Sequence, residues 1–151
     1  MSYVNATSQS LTKILTDART IAVVGASSNP DRPSYQIARR LLDVGYRMIP
    51  VNPKETEVHG QRAFGSLDAI REPVDIVVVF RRSAETPAIA DQAVALHAKL
   101  LWLQPGVSNE DAAERAETAG LTVVMDKCIM AMHIALQIPR KPVLAVSNVA
   151  A

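Results

Sequence analysis

Cysteine, glycine, charge of one sign and long apolar runs are all scarce in this chain, and each scarcity removes a class of explanation. The single cysteine, Cys128, cannot form an intramolecular disulfide, so nothing demands an oxidising compartment. No segment reaches membrane-spanning length, and the N-terminal "MSYVNATSQSLTKILTDART" has no apolar core of signal-peptide size, which makes the cytoplasm the expected address. The "NAT" at 5–7 matches a glycosylation acceptor, a chance match where no secretion signal accompanies it. Sixteen Lys and Arg balance fifteen Asp and Glu to a net charge of +1, and the tightest basic cluster is Arg81-Arg82. That excludes the basic face a nucleic-acid binder needs. His59 and His97 have no partners at ligand spacing, so no metal site is expected.

What is present is an alternation of two patterns. The 151 residues suffice for one domain with a real core, and at 48% hydrophobic and 21% charged the composition is that of an ordinary globular protein. Short β-branched runs, "TIAVVG" (20–25), "YRMIPV" (46–51), "VDIVVVF" (74–80), "KLLWLQ" (99–104) and "LTVVM" (121–125), read as strands. Several are continuously apolar, as strands buried on both faces of a parallel sheet are. Between them, 33–45, 84–98 and 109–120 read as helices, with Gly45 and Gly120 placed as C-caps. A further helix is expected near 7–18, capped by Thr7 or Ser8. Residues 52–73 break the rhythm and suggest a loop, a short edge strand near 62–64 and a helical turn at Ser66–Ile70. The expectation is a single doubly wound, mostly parallel α/β sheet over 1–136, followed by an extended tail at 137–151.

Such sheets bind ligands outside the carboxyl ends of their strands. The loops there are 25–32, 52–56, 80–83 and 104–108. In "GASSNPDRP", Gly25 allows a sharp turn, and the amides of Ala26, Ser27 and Ser28 can face an anion beside a helix that Pro33 opens. The second and third glycines of the dinucleotide fingerprint are missing. At the end of the second strand, "VNPKE" places Lys54 where an NAD-binding domain carries an acid; a lysine suits a phosphorylated ribose, as in NADP or coenzyme A, while Glu55 is near enough to keep NAD open. In "FRRS", one of Arg81 and Arg82 can meet phosphate while the other meets solvent or an acid such as Asp91; Phe80 or a guanidinium plane can flank an adenine, and structural salt bridging is the rival role. In "LQPGVSNED", Gln104 is a candidate polar contact at the crevice, Pro105 and Gly106 form a turn, and Ser108 is the expected N-cap of the next helix. Cys128 and His133 stand five residues apart, a spacing that puts them on different faces of a helix, so no catalytic pair is expected.

With these residues in view, the chain resembles the small stand-alone coenzyme A-binding proteins of the YccU-like family, whose domain is similar to the N-terminal domain of the succinyl-CoA synthetase alpha subunit. The resemblance covers about 12–136 and rests on "VVGASSNPDRPSY", "YRMIPVNPKETEVHGQRAFGSL", "PVDIVVVFRRS" and "WLQPGVSNEDAAERAETAGLTVVMDKC", in that order. It implies a Rossmann-like domain holding coenzyme A or an acyl-CoA by its nucleotide end. It would set Gly25, Ala26, Ser27 and Ser28 at the pyrophosphate and Lys54 near the ribose phosphate. Phe80, Arg81, Arg82 and Ser83 would line the adenine or pantetheine path, and Gln104, Gly106 and Val107 would border the crevice. The ligase's phosphorylated histidine belongs to a second domain, so His133 does not inherit that role; relatives are expected to carry an acid before this histidine, where the chain has Met132. The reading is therefore a binder with no chemistry of its own. An NADP-linked oxidoreductase domain and a regulatory subunit serving a separate acyl-CoA ligase chain are the alternatives; neither nucleic acid nor membrane is an expected partner.

Overall fold

The computed structural model describes residues 3–4 and 7–142. A short strand β1 (Tyr3–Val4) precedes α1 (Ser8–Asp17), whose N-cap is Thr7, its side-chain oxygen accepting the Ser10 amide at 3.1 Å. Then come β2 (Thr20–Val24), α2 (Pro33–Asp43) and β3 (Arg47–Val51). A hairpin of β4 (Glu57–Val58) and β5 (Gln61–Arg62) and a 3-10 turn at Leu67–Ala69 fill the irregular stretch. The chain continues through β6 (Ile76–Val79), α3 (Thr86–Ala95), β7 (Leu100–Leu103), α4 (Glu110–Thr118), β8 (Thr122–Met125) and α5 (Ile129–Ala135).

The main sheet runs β1-β8-β7-β6-β2-β3; five strands are parallel and β1 lies antiparallel on the β8 edge. Each parallel strand alternates its side chains between two cores. Ile21, Val23, Ile76, Val78, Trp102 and Val124 face α1, α2 and α5. Ala22, Val24, Val77, Val79, Leu103 and Val123 face α3 and α4. With both faces covered, both members of each alternation must be apolar, which is why the strands read as continuous hydrophobic runs. This is the doubly wound, Rossmann-like α/β fold. Counted from β2, the parallel strands lie in the order second, first, third, fourth, fifth, so the winding reverses between β2 and β6.

Two local expectations change. The N-cap of α4 is Asn109, not Ser108: with φ −164° and ψ 117° its backbone is extended and its Oδ1 accepts the Ala112 amide at 2.9 Å. Ser108 instead donates its amide to Ser83 Oγ at 3.0 Å. The edge strand near 62–64 is one arm of the β4–β5 hairpin plus a separate bridge from Phe64 to Val51. Gly45 and Gly120 do end their helices with positive φ, +103° and +96°. Of the expected tail, Ile138 is buried in the second core and the Lys141 amide donates to the Val44 carbonyl at 2.9 Å; residues 143–151 lie outside the described residues.

Candidate functional site

The carboxyl ends of β2 and β6, where the winding reverses, bring together the loops 25–32 and 80–83. Gly25 has φ +88°, and a Cβ there would sit 2.4 Å from the Phe80 carbonyl oxygen. The close approach that requires glycine is thus between the two loops themselves. The Gly25 amide continues the sheet by donating to the Val51 carbonyl at 2.8 Å. The Ala26 side chain is buried in the core below. Ser27 Oγ accepts the Asn29 amide, and Asn29 in turn accepts from Asp31 through its side chain and from Arg32 through its carbonyl. These bonds lead the chain into α2, whose N-cap Arg32 supplies no side-chain cap and whose first residue is Pro33. Among the described residues the amides of Ala26 and Ser27 have no hydrogen-bond partner. Ala26 is fully buried, so the half-buried Ser27 amide, beside an uncapped helix N-terminus, is the accessible one, and the loop is a candidate cradle for an anion.

The segment after β3 lies across this loop. Asn52 Nδ2 donates to the Ala26 carbonyl at 2.8 Å, while Asn52 Oδ1 accepts the Lys54 amide at 2.9 Å. Glu55 reaches the Ser28 amide at 2.9 Å. At the hairpin tip Val58 is buried, and His59 Nε2 lies 2.7 Å from the Tyr35 carbonyl, with the two rings 4.2 Å apart. The exposed Lys54 therefore stands on a turn fixed against the cradle. Glu55, Asn52 and His59 are the site residues that sequence reasoning missed as structural partners of the loop. The "NPKE" turn after a buried strand was the available signal.

The arginines differ from expectation. Both pair with Glu85: Arg81 Nη2 and Nε at 2.8 and 3.1 Å, Arg82 Nε at 3.1 Å. Asp91, the acid expected for one of them, belongs to Arg115 at 2.7 Å, because α3 carries it toward α4. The Arg81 and then the Arg82 hydrogen bonds hold the Glu85 carboxyl below its ordinary range. Phe80 is half-buried against the second core, and Arg81 lies beside the Gly25 turn. Ser83 is a junction: its hydroxyl accepts from Ser108, and its carbonyl accepts from the Thr86 hydroxyl and from Asn109.

Gln104 is no surface contact. It is 2% exposed, and its Oε1 accepts the first amide of α5, that of Ile129, at 3.0 Å. Gly106 donates to Asp126 at 2.7 Å, and Val107 is buried, its amide on the Gln104 carbonyl and its carbonyl accepting from Asp126. These residues brace the turn between β7 and α4. Cys128 is the N-cap of α5, while His133 is buried edge-on to Tyr46 with its Nε2 unpartnered, so the two form no pair. Burial, then the charges of Lys141 and Arg40, lowers the His133 pKa from 6.5. A cleft of about 720 Å³ lies at the other end of the strands, beside the residues that lead into β6 and β7. Its polar groups include Arg71, which bonds the Asp68 carbonyl, and Asp75, which accepts the Arg19 and Thr20 amides. No three His, Cys, Asp or Glu among the described residues group as metal ligands, and no helix among them is long and apolar enough to cross a membrane.

The model of the CoA binding domain matches residues 19–134, which takes in every strand of the parallel sheet. The chain belongs to the CoA-binding domain family. It is 41% identical over 129 residues to the uncharacterised protein YneT of Bacillus subtilis, across 85% of this chain and 96% of YneT. The solved structure of a hypothetical protein from Pyrococcus horikoshii superposes with a TM-score of 0.85 at 34% identity, covering 88% of this chain and 94% of that one. A 62-residue stretch, 40% of this chain, is 37% identical to part of the alpha subunit of an ADP-forming acetate–CoA ligase from Pyrococcus furiosus, of which it covers 14%. The shared part is thus a small fraction of that ligase subunit.

Proposed function

We propose that this protein binds coenzyme A or an acyl-CoA by its nucleotide end at the junction of β2 and β6, and that it carries out no reaction alone. The observation that carries the reading is the cradle at Ser27: a half-buried amide without a partner, at the strand-order reversal, beside a helix start with no side-chain cap. Membership of the CoA-binding domain family supports the choice of ligand. In this reading the pyrophosphate rests on the amides of Ser27 and Ser28, at the turn that Gly25 and Ala26 form, Lys54 meets the ribose phosphate, and Phe80 with Arg81 flanks the nucleotide. Arg82 and Ser83 border it, while Gln104, Gly106 and Val107 act from behind by shaping the neighbouring turn. The site region offers no nucleophile paired with a base.

Calorimetric titration with coenzyme A, dephospho-coenzyme A, NADP and NAD tests this. Coenzyme A binds tightest, and Lys54→Ala weakens it about tenfold while dephospho-coenzyme A changes little, since only the former carries the phosphate that the lysine meets. Preference for NADP overturns the ligand; equal losses for both coenzyme A forms remove Lys54 from its role. The likeness to a ligase alpha subunit supports a second reading, in which the bound acyl-CoA serves a separate ligase chain. Co-purification of such a chain with the tagged protein distinguishes the two.

A further inference from the structure

Ser28 is the last amide of the loop that the binding reading gives to the pyrophosphate, and it is already taken. Glu55 holds it at 2.9 Å, a carboxylate oxygen where a phosphate oxygen would dock. The surroundings fix the backbone of Glu55 more firmly than its side chain. On one side Asn52 pins the turn, accepting the Glu55 amide through its carbonyl at 3.2 Å while its side chain grips the Ala26 carbonyl. On the other side Val58 is sunk in the core and His59 is latched to Tyr35. Glu55 is half-buried and its carboxylate makes one hydrogen bond among the described residues, so it can leave by a rotamer change without unlatching the hairpin.

We propose that Glu55 is a gate residue: its carboxylate competes with the ligand's pyrophosphate for the Ser28 amide and must swing away before the nucleotide end seats. This rests on the coenzyme A reading above and adds a selectivity to it. Only a ligand that recovers enough from the Ser27 amide and from Lys54 displaces the internal carboxylate, which disfavours weakly held mononucleotides and free phosphate. Glu55 and Lys54 are adjacent, so one turn carries both the deterrent and the attraction. By contrast Glu85 binds arginine side chains, and its removal would release cations without freeing an amide.

The test compares coenzyme A affinity by calorimetry in Glu55→Gln, Glu55→Ala and Glu57→Gln. Glu57 is exposed on the same hairpin and gives the same change in net charge. Glu55→Gln removes the repulsion and binds coenzyme A about fivefold tighter. Glu55→Ala, which also frees the amide, binds at least as tightly as Glu55→Gln, and Glu57→Gln matches wild type. Dephospho-coenzyme A, which keeps the pyrophosphate, shows the same gain. Wild-type affinity that neither Glu55 variant raises overturns the gate and leaves the binding reading standing, as does an equal gain in Glu57→Gln. A gain for coenzyme A that vanishes with its dephospho form sets Glu55 against the ribose phosphate and overturns the gate as stated. Failure of all four proteins to bind coenzyme A overturns the binding reading itself.

Discussion

At the scale of single residues, Gly25 has a structural role that does not depend on any ligand. Its φ of +88° disfavours any other residue, and a Cβ would press within 2.4 Å of the Phe80 carbonyl. That oxygen belongs to the β6 end, so the contact cannot be relieved by a side-chain rotation. Gly25→Ala should cost about 2–4 kcal/mol of stability from strain and overpacking together, read as a lower denaturant midpoint. A midpoint unchanged from wild type would show that the two loops can separate freely. The consequence for function is that ligand affinity in this variant reports on the fold as well as on the cradle.

At the scale of elements, the helix starts differ in how they are capped. Helix α4 is capped from within by Asn109, and its first turn carries Glu110 and Asp111, which suit the positive end of the helix dipole. Helix α2 has neither a side-chain cap nor an acid in its first turn. The first helix is closed by its own residues, whereas the start of the second, like that of α3, has no side-chain cap. Asn109→Ala should lose about 1 kcal/mol, whereas Ser108→Ala should stay within about 0.5 kcal/mol of wild type. Urea denaturation of both variants checks the assignment, and a larger loss in Ser108→Ala would return the cap to that residue.

At the scale of the whole molecule, the pH dependence of stability has an identifiable buried source. His133 packs edge-on to Tyr46, itself joined to α1 through the Leu15 carbonyl. Its Nε2 lacks a partner, and Lys141 and Arg40 further oppose a positive charge there. The folded-state pKa is thus below the unfolded value, and the unfolded chain binds more protons as pH falls. The contribution from neutral His133 is complete above about 6.5, declines as pH falls below it and levels off once the folded protein is protonated too. His133→Leu should therefore show a flatter stability profile than wild type between about pH 7 and about pH 5. Parallel profiles for the two proteins would remove His133 as the source. The mutation lies away from the cradle, so coenzyme A affinity at neutral pH should persist.

What the sequence determined by itself is what depends on short-range order and periodicity. Apolar runs such as 76–79 and 100–103 had to be strands with both faces buried, Gly45 and Gly120 had to end helices, and alternation with helices specified parallel winding. The first loop could be picked out as a candidate binding loop from the same logic, since a strand, a glycine and a helix opened by proline lie consecutively in the chain. Tertiary structure alone decided who meets whom across the chain. Nothing local says that Glu55 reaches back 27 positions to Ser28, that Gln104 is sealed inside to hold the Ile129 amide, or that Asp91 goes to Arg115. Those pairings follow from strand order and from the angle at which each helix settles on the sheet. A side chain a few ångströms long finds its partner only after the backbone has fixed which loops are neighbours.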